Sequence, residues 1–203
     1  HTLFPRILKI FPSDGQMFFK QFLKYPVATG ALTATSKRVS RLIAEQANLD
    51  TKRCVVELGP GTGAFTKEIL TRISPETEFF CLENNLQFVN ETVRNCPSVT
   101  VHHASAINIK LFLNKHGQES SDCVISGIPW AALDQESQSE LLSAIYDSLD
   151  ENGSFLAIAY ATGFILPSGI RFKRLLNQRF RKVERTKIIW RNILPAFIYH
   201  CLK

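Results

Sequence analysis

Two acids and a run of glycines offer the first chemistry. Glu57 follows the apolar run Cys54-Val55-Val56, and Gly59, Gly61 and Gly63 come next, with Thr62 between the last two. Glycines let backbone approach a ligand and adopt conformations that a side chain blocks. Ala64 to Leu70 then carries helical spacing, so the segment reads as a strand, a tight turn and a helix start. The first N–H groups of such a helix have no partner within it. A glycine turn of this kind suits a nucleotide. The third glycine comes two residues after the second, however, and residue 64 is Ala, so the G-x-G-x-x-G dinucleotide fingerprint is not met. Glu83 ends a second apolar run, Glu78-Phe79-Phe80-Cys81-Leu82. A carboxylate there accepts two donors at once, which fits the paired hydroxyls of a ribose.

A second constellation is Ser126-Gly127-Ile128-Pro129-Trp130, directly after the run Asp122 to Ile125. In open α/β sheets ligands bind past the carboxyl ends of the strands, so this loop and the glycine turn face one ligand. Proline fixes the turn, the preceding carbonyls accept hydrogen bonds from an incoming amine, and an aromatic ring stacks on a cationic nitrogen. Trp130 also reads as a core anchor, which would give it no part in the chemistry.

The elements that position these residues alternate. Strands are predicted at about 53–58, 78–83, 99–103, 122–125 and 154–160, and helices at about 64–73, 85–95, 135–149 and 171–180. Asp150 to Gly153 reads as a turn, and Pro97 follows the end of the second of these helices. Two β runs, Val183 to Trp190 and Ala196 to Cys201, pair as an antiparallel edge. The expectation is an α/β, Rossmann-like, seven-stranded and mostly parallel sheet with an antiparallel C-terminal edge, preceded by N-terminal helices. Two regions are expected: amphipathic helices and an irregular crossing in 1–35, and the ligand-binding domain in 36–203. Thr35 or Ser36 caps the helix that follows the crossing.

The length, 203 residues, suits a single core, and an apolar fraction of 45% is that of an ordinary globular chain. No apolar run reaches the roughly 18 residues of a membrane span. The chain starts at His1 rather than Met, as a trimmed start or a retained tag residue would leave it. Five scattered cysteines, without C-x-x-C, fit buried free thiols in a reducing compartment. His102 and His103 have no helical partner or acidic neighbour in the sequence, and on alternating strand faces only one points inward, so no metal site is expected.

The net charge is +6. Basic residues crowd the first 53 positions and the stretch from Arg171 to Lys187, which points to an anionic partner, a membrane surface or nucleic acid. Between Phe4 and Tyr25, aromatic and aliphatic residues at helical spacing are mixed with Lys and Arg, and Pro12 to Gly15 breaks the stretch. Short helices with one apolar and one cationic face fit an interfacial membrane segment, and equally a cap on the core.

The E-x-G-x-G-x-G at Glu57 to Gly63 resembles motif I of class I S-adenosylmethionine-dependent methyltransferases. The resemblance implies that S-adenosylmethionine is the cofactor. Gly59, Gly61, Thr62 and Gly63 pass under its methionine part, Glu57 meets its amino group and Glu83 holds the ribose. Asn84, Asn85 and the Ser105-Ala106 segment fall on the adenine side. Many members carry an acid where this chain has Ser105.

Within that superfamily the chain is most similar to bacterial phospholipid N-methyltransferases. The pre-core segment through Gly30 and Thr35-Ser36, the S-G-x-P loop, and Arg191, Asn192, Pro195, Ala196 and Tyr199 near the end carry this likeness, with Leu194 in place of a proline. Related adenine enzymes have Asn where Gly127 stands and Tyr or Phe where Trp130 stands.

The resemblance implies a monomeric N-methyltransferase at the cytoplasmic face of a membrane, acting on the amine of a phospholipid such as phosphatidylethanolamine. An anionic membrane surface is the expected partner, with neither metal nor nucleic acid. Ser126 to Trp130 and Tyr25 are the expected catalytic residues, with Arg191 at the headgroup phosphate. For the base, Tyr25, His102, His103 and water all stay open. The alternatives are an adenine-N6 methyltransferase of ribosomal RNA, a methyltransferase of soluble amines, and a cofactor-binding scaffold.

Overall fold

The computed structural model describes residues 29–190 and 195–203. The expected amphipathic helices, Tyr25 and Arg191 lie outside the described residues.

Seven strands form one sheet: β1 (Cys54–Leu58), β2 (Glu78–Glu83), β3 (Thr100–His103), β4 (Ser121–Ser126), β5 (Leu149–Tyr160), β6 (Lys182–Arg185) and β7 (Ala196–Leu202). Their order is β3-β2-β1-β4-β5-β7-β6. β1 pairs in parallel with β2 on one side and β4 on the other, so the chain reverses its winding direction at β1. β7 runs antiparallel to both β5 and β6, as expected for the C-terminal edge.

Helices cover both faces. On one lie α1 (Thr29–Gln46), α2 (Ala64–Leu70) and α3 (Leu86–Asn95). On the other lie α4 (Ile109–Lys115), α5 (Gln135–Ser148) and α6 (Pro167–Arg179). Ile43, Ala47 and Ile69 meet Val55, Cys81 and Ile125 on the first face. Leu113, Ile145, Phe172 and Leu176 meet Val56, Phe80, Val124 and Phe155 on the second. Alternate residues of β1 thus serve opposite layers, and all five of its residues are buried, as a central parallel strand requires. The five free cysteines are all buried. Burial drives the Cys54 thiol up to about 12 and that of Cys123 to about 11.

The structure corrects several sequence expectations. α1 runs unbroken from Thr29, so Thr35 and Ser36 lie inside it rather than capping it. Ala31, Leu32 and Ala34 are strong helix formers and outweigh the Thr and Ser around them. β5 begins at Leu149, and the expected turn is an irregularity in its pairing, where the register shifts between Ser121 and Cys123. β6 stops at Arg185, because the Thr186 hydroxyl accepts the Ile198 N–H at 3.0 Å; one bridge then joins Ile189 to Ala196. α4 was not expected, since its Ile109, Phe112 and Leu113 stripe is too short to stand out. Among the described residues, no helix is long and apolar enough to cross a membrane.

Candidate active site

Gly59, Gly61 and Gly63 all have positive φ, at 69°, 59° and 82°, a region other residues rarely adopt. The turn starts where Gly59 donates its N–H to the Leu82 carbonyl at 2.9 Å, and closes where Gly63 donates to Pro60 at 2.9 Å. α3 holds it from the side. Thr92 donates its hydroxyl to the Gly61 carbonyl at 2.8 Å, and Asn95 donates to the Thr62 carbonyl at 2.9 Å. A Cβ on Gly61 would meet nothing within 4 Å, so the loop flanks open space.

Glu57 is fully buried at the end of β1. Thr66 on α2 donates its hydroxyl to Oε2 at 2.7 Å, and the Cys81 thiol approaches the same oxygen at 3.5 Å. Oε1 has no hydrogen-bond partner although it is buried. Burial pushes this carboxyl up to about 7; the Thr66 hydrogen bond opposes that rise. An orphaned buried acceptor beside a glycine turn fits a ligand that brings a donor. Glu83 accepts the Gly61 N–H on Oε2 at 3.2 Å and the Asn85 N–H on Oε1 at 2.9 Å. Each oxygen keeps a second acceptor site, enough for the two hydroxyls of a ribose. Asn84 and Ser105 are exposed beyond it and Ala106 is partly so. Asn85 caps α3 through its side chain, which takes it away from the adenine side. These residues fit S-adenosylmethionine.

The S-G-I-P-W loop is brought against the glycine turn by β4 lying beside β1. Gly127 donates its N–H to the Leu58 carbonyl at 2.8 Å, and a Cβ on Gly127 would lie 2.5 Å from the Gly59 oxygen. Only glycine fits there. Ser126 is fully buried, and its hydroxyl accepts the Ile128 N–H at 3.3 Å and the Trp130 indole N–H at 3.1 Å. Ser126 therefore shapes the loop.

Trp130 is 2% exposed; it stacks on Phe172 at 4.4 Å and meets Phe155 edge-on at 5.8 Å. The core-anchor reading describes its ring, so stacking on a substrate cation is not its role in this geometry. Gly127, Ile128 and Pro129 remain partly exposed at the carboxyl edge.

Sequence reasoning missed the support behind this loop. Gln138 on α5 is fully buried and donates to the carbonyls of Trp130 at 2.7 Å and Ser168 at 3.1 Å, while accepting from Arg171 at 2.9 Å. Arg171 also donates to the Leu133 carbonyl at 3.3 Å, and Ser168 to that of Ala131 at 2.7 Å. A Gln eight residues beyond Trp130, inside a helix and part of no motif, gives no local signal. The partners of the histidines were not legible either, because they come from other segments of the chain. His102 Nε2 lies 2.8 Å from His116 Nε2, and His116 Nδ1 donates to Glu78 at 2.7 Å. His103 donates to the Asn84 carbonyl at 3.1 Å. Both histidines are engaged on β3, at the edge of the sheet and apart from the Gly127 loop. No cluster able to hold a metal occurs among the described residues.

A model of the ribosomal RNA adenine dimethylase family matches residues 33–133. The ornithine lipid N-methyltransferase of Singulisphaera acidiphila is 30% identical over 191 residues, spanning 93% of this chain and 95% of that protein. Among solved structures, an N-methyltransferase from Bradyrhizobium japonicum superposes with a TM-score of 0.64 at 10% identity, covering 83% of this chain and 96% of the other. An O-methyltransferase from Bacillus cereus, in complex with SAH, gives 0.62 at 13% identity over 84% and 81% of the two chains. At such identities these two structures show the fold alone. With 30% identity to a curated methyltransferase over nearly its whole length, the chain belongs to the class I S-adenosylmethionine-dependent methyltransferases.

Proposed function

We propose that the enzyme methylates the amine of a phospholipid headgroup, carrying phosphatidylethanolamine towards phosphatidylcholine. In this reading it works as a monomer, peripheral to the cytoplasmic face of a membrane. The observation that carries the reading is the 30% identity to a lipid N-methyltransferase over 93% of the chain, well beyond the cofactor half.

S-adenosylmethionine supplies an electrophilic methyl group on a sulfonium sulfur, with no covalent enzyme intermediate required. The chain's own residues then have a positioning task. The glycine turn and Glu57 hold the methionine end, and Glu83 holds the ribose. Ser126 and Gln138 fix the Gly127–Pro129 backbone at the carboxyl edge of β4, where an acceptor nitrogen is received. An alkylamine is mostly protonated at neutral pH, as a lysine is with a pKa of about 10.4, so a proton leaves before or during attack. Tyr25 and water remain the candidates for receiving it. Arg191, with Tyr25 outside the described residues, is the proposed headgroup contact.

The match to the adenine dimethylase model favours a second reading, methylation of an RNA adenine. Gly127 speaks against it. The Asn that the related adenine enzymes carry there has no room above the Gly59 carbonyl. Incubation with labelled S-adenosylmethionine tests both readings. Phosphatidylethanolamine vesicles, ornithine lipid, ribosomal RNA and small amines are supplied separately. Mass gains of one to three methyl groups on phosphatidylethanolamine are expected. Label confined to RNA, to ornithine lipid or to a soluble amine would overturn the proposed substrate.

A further inference from the structure

Five of the eight large apolar side chains exposed among the described residues fall in 164–170 and at 190. Phe164, Ile165, Leu166, Ile170 and Trp190 are all exposed, with Ile165 at 60% and Trp190 at 66%. Phe164 to Leu166 sit between Gly163 and Gly169, whose backbones touch so closely that a Cβ on Gly169 would collide with the Gly163 carbonyl. The turn is thus closed at its base, with Ile165 and Leu166 exposed at its tip and the Phe164 ring stacked on Phe197 at 4.8 Å. Trp190 belongs to a segment that reaches the same end of β7, where Ile189 bridges to Ala196 and Ala161 donates to the Pro195 carbonyl at 2.8 Å. Apolar side chains left exposed close together in this way suit an interaction surface.

Its charge and position narrow the partner. No acid occurs between Glu151 and Glu184, while Arg171, Lys173, Arg174, Arg179, Arg181 and Lys182 fall in that stretch. Lys173 and Arg174, one helical turn beyond Ile170, are exposed. The Arg185 guanidinium lies 4.9 Å over the Phe164 ring. The ridge follows β5 directly, and β5 is parallel to β4, so it stands at the carboxyl edge that bears the Gly127 loop. The tie is direct. Ser168 in this segment donates to the Ala131 carbonyl at 2.7 Å, and Gln138 joins the Ser168 and Trp130 carbonyls. Exposed aliphatic and Trp side chains flanked by cations, in a stretch of chain without acids, match the headgroup and upper acyl region of an anionic bilayer. RNA would be met by the cations but offers nothing to the aliphatic tip.

The geometry points to the 164–170 ridge with Trp190 as a docking surface for an anionic lipid bilayer, setting the Gly127 loop at the headgroup plane. This inference rests on the lipid reading of the site for its purpose, but its test does not. Full-length protein is sedimented with vesicles of phosphatidylethanolamine and phosphatidylglycerol, and separately with vesicles of phosphatidylcholine alone. The wild type is expected to partition to the anionic vesicles.

Ile165→Asp/Trp190→Ala and Lys173→Glu/Arg174→Glu are each expected to weaken that partition by about tenfold or more. Both should keep the wild-type Kd for S-adenosylmethionine, which reports intact folding. Two variants that bind the cofactor normally and still partition as the wild type does would overturn the docking surface. So would loss of a wild-type dimer in Ile165→Asp/Trp190→Ala, which would assign the ridge to a second copy. RNA binding abolished by the same substitutions, with vesicle binding unchanged, would overturn it too. If the variants lose partition while no lipid gains methyl groups, the substrate reading fails and the surface stands. If lipid in detergent micelles is methylated and partition is unaltered, the reverse holds.

Discussion

The Gly127 backbone crosses the Gly59 carbonyl so closely that a Cβ at 127 would sit 2.5 Å from its oxygen. Two loops 68 residues apart in sequence are thereby locked together, one carrying the glycine turn and the other the Gly127–Trp130 segment. Gly127→Ala must push them apart. A loss of roughly 1–3 kcal/mol in stability is expected, as for other overpacked sites. The Kd for S-adenosylmethionine should rise as well, because the Gly59 turn moves. Denaturant unfolding and calorimetry check both, and a Gly127→Ala protein of wild-type stability would contradict the crossing.

Glu57 makes apo-protein stability depend on pH. Its folded pKa, about 7, lies above the usual carboxyl value of 4.5, so between those limits the folded chain binds more protons than the unfolded one. This group's contribution therefore falls as pH rises from about 4.5 to 7 and is constant beyond. Relative to the wild type, Glu57→Gln should gain on the order of 3 kcal/mol between pH 4 and pH 8. Urea titrations across that range measure the difference. A flat difference would mean the carboxyl titrates normally.

Glu83 already accepts two backbone N–H groups, from Gly61 and Asn85. Glu83→Ala removes an acceptor for ribose and unpins the glycine turn. Cofactor affinity should fall by about 1–3 kcal/mol, the worth of hydrogen bonds to a charged group. Adenine affinity measured alone should change far less. Unaltered S-adenosylmethionine binding by calorimetry would remove Glu83 from the ribose.

Gln138 joins α5, the Trp130 loop and the first turn of α6 through its one amide. Gln138→Leu leaves two carbonyls and Arg171 without that partner, at about 1–3 kcal/mol for each buried group left unpaired. The expected signature is a lowered kcat with the cofactor Kd unchanged, since the acceptor loop loosens and the glycine turn does not. Equal losses in cofactor binding and kcat would show a general structural defect instead.

Local patterns accounted for the parts of the site that are local. The strand, glycine turn and helix from Cys54 to Leu70 stand as read, and Glu83 ends β2 beside the turn. The seven strands and the antiparallel C-terminal edge also followed from alternating runs, because strand and helix periods are properties of adjacent residues; the order of the strands in the sheet did not. Element ends were less legible. Thr35 and Ser36 look like a cap, yet the helix runs through them on the strength of the alanines and leucine before them.

The tertiary structure decided what each side chain does once distant segments meet. Trp130 reads as a substrate-facing aromatic from its motif, but Phe172, 42 positions on, stacks against it and seals it in the core. His102 gained a ring partner in His116, and His116 an acid in Glu78, only because α4 lies over the strands that carry the other two. Gln138 belongs to no motif and still holds the Trp130 loop. By itself the sequence determined the order of the elements, the glycine turn and the acids at the strand ends, since these depend on short-range conformational preference. Burial and partnership depend on which surfaces pack together, so the role of Trp130, the histidine pair, the Gln138 network and the apolar ridge were settled only by folding.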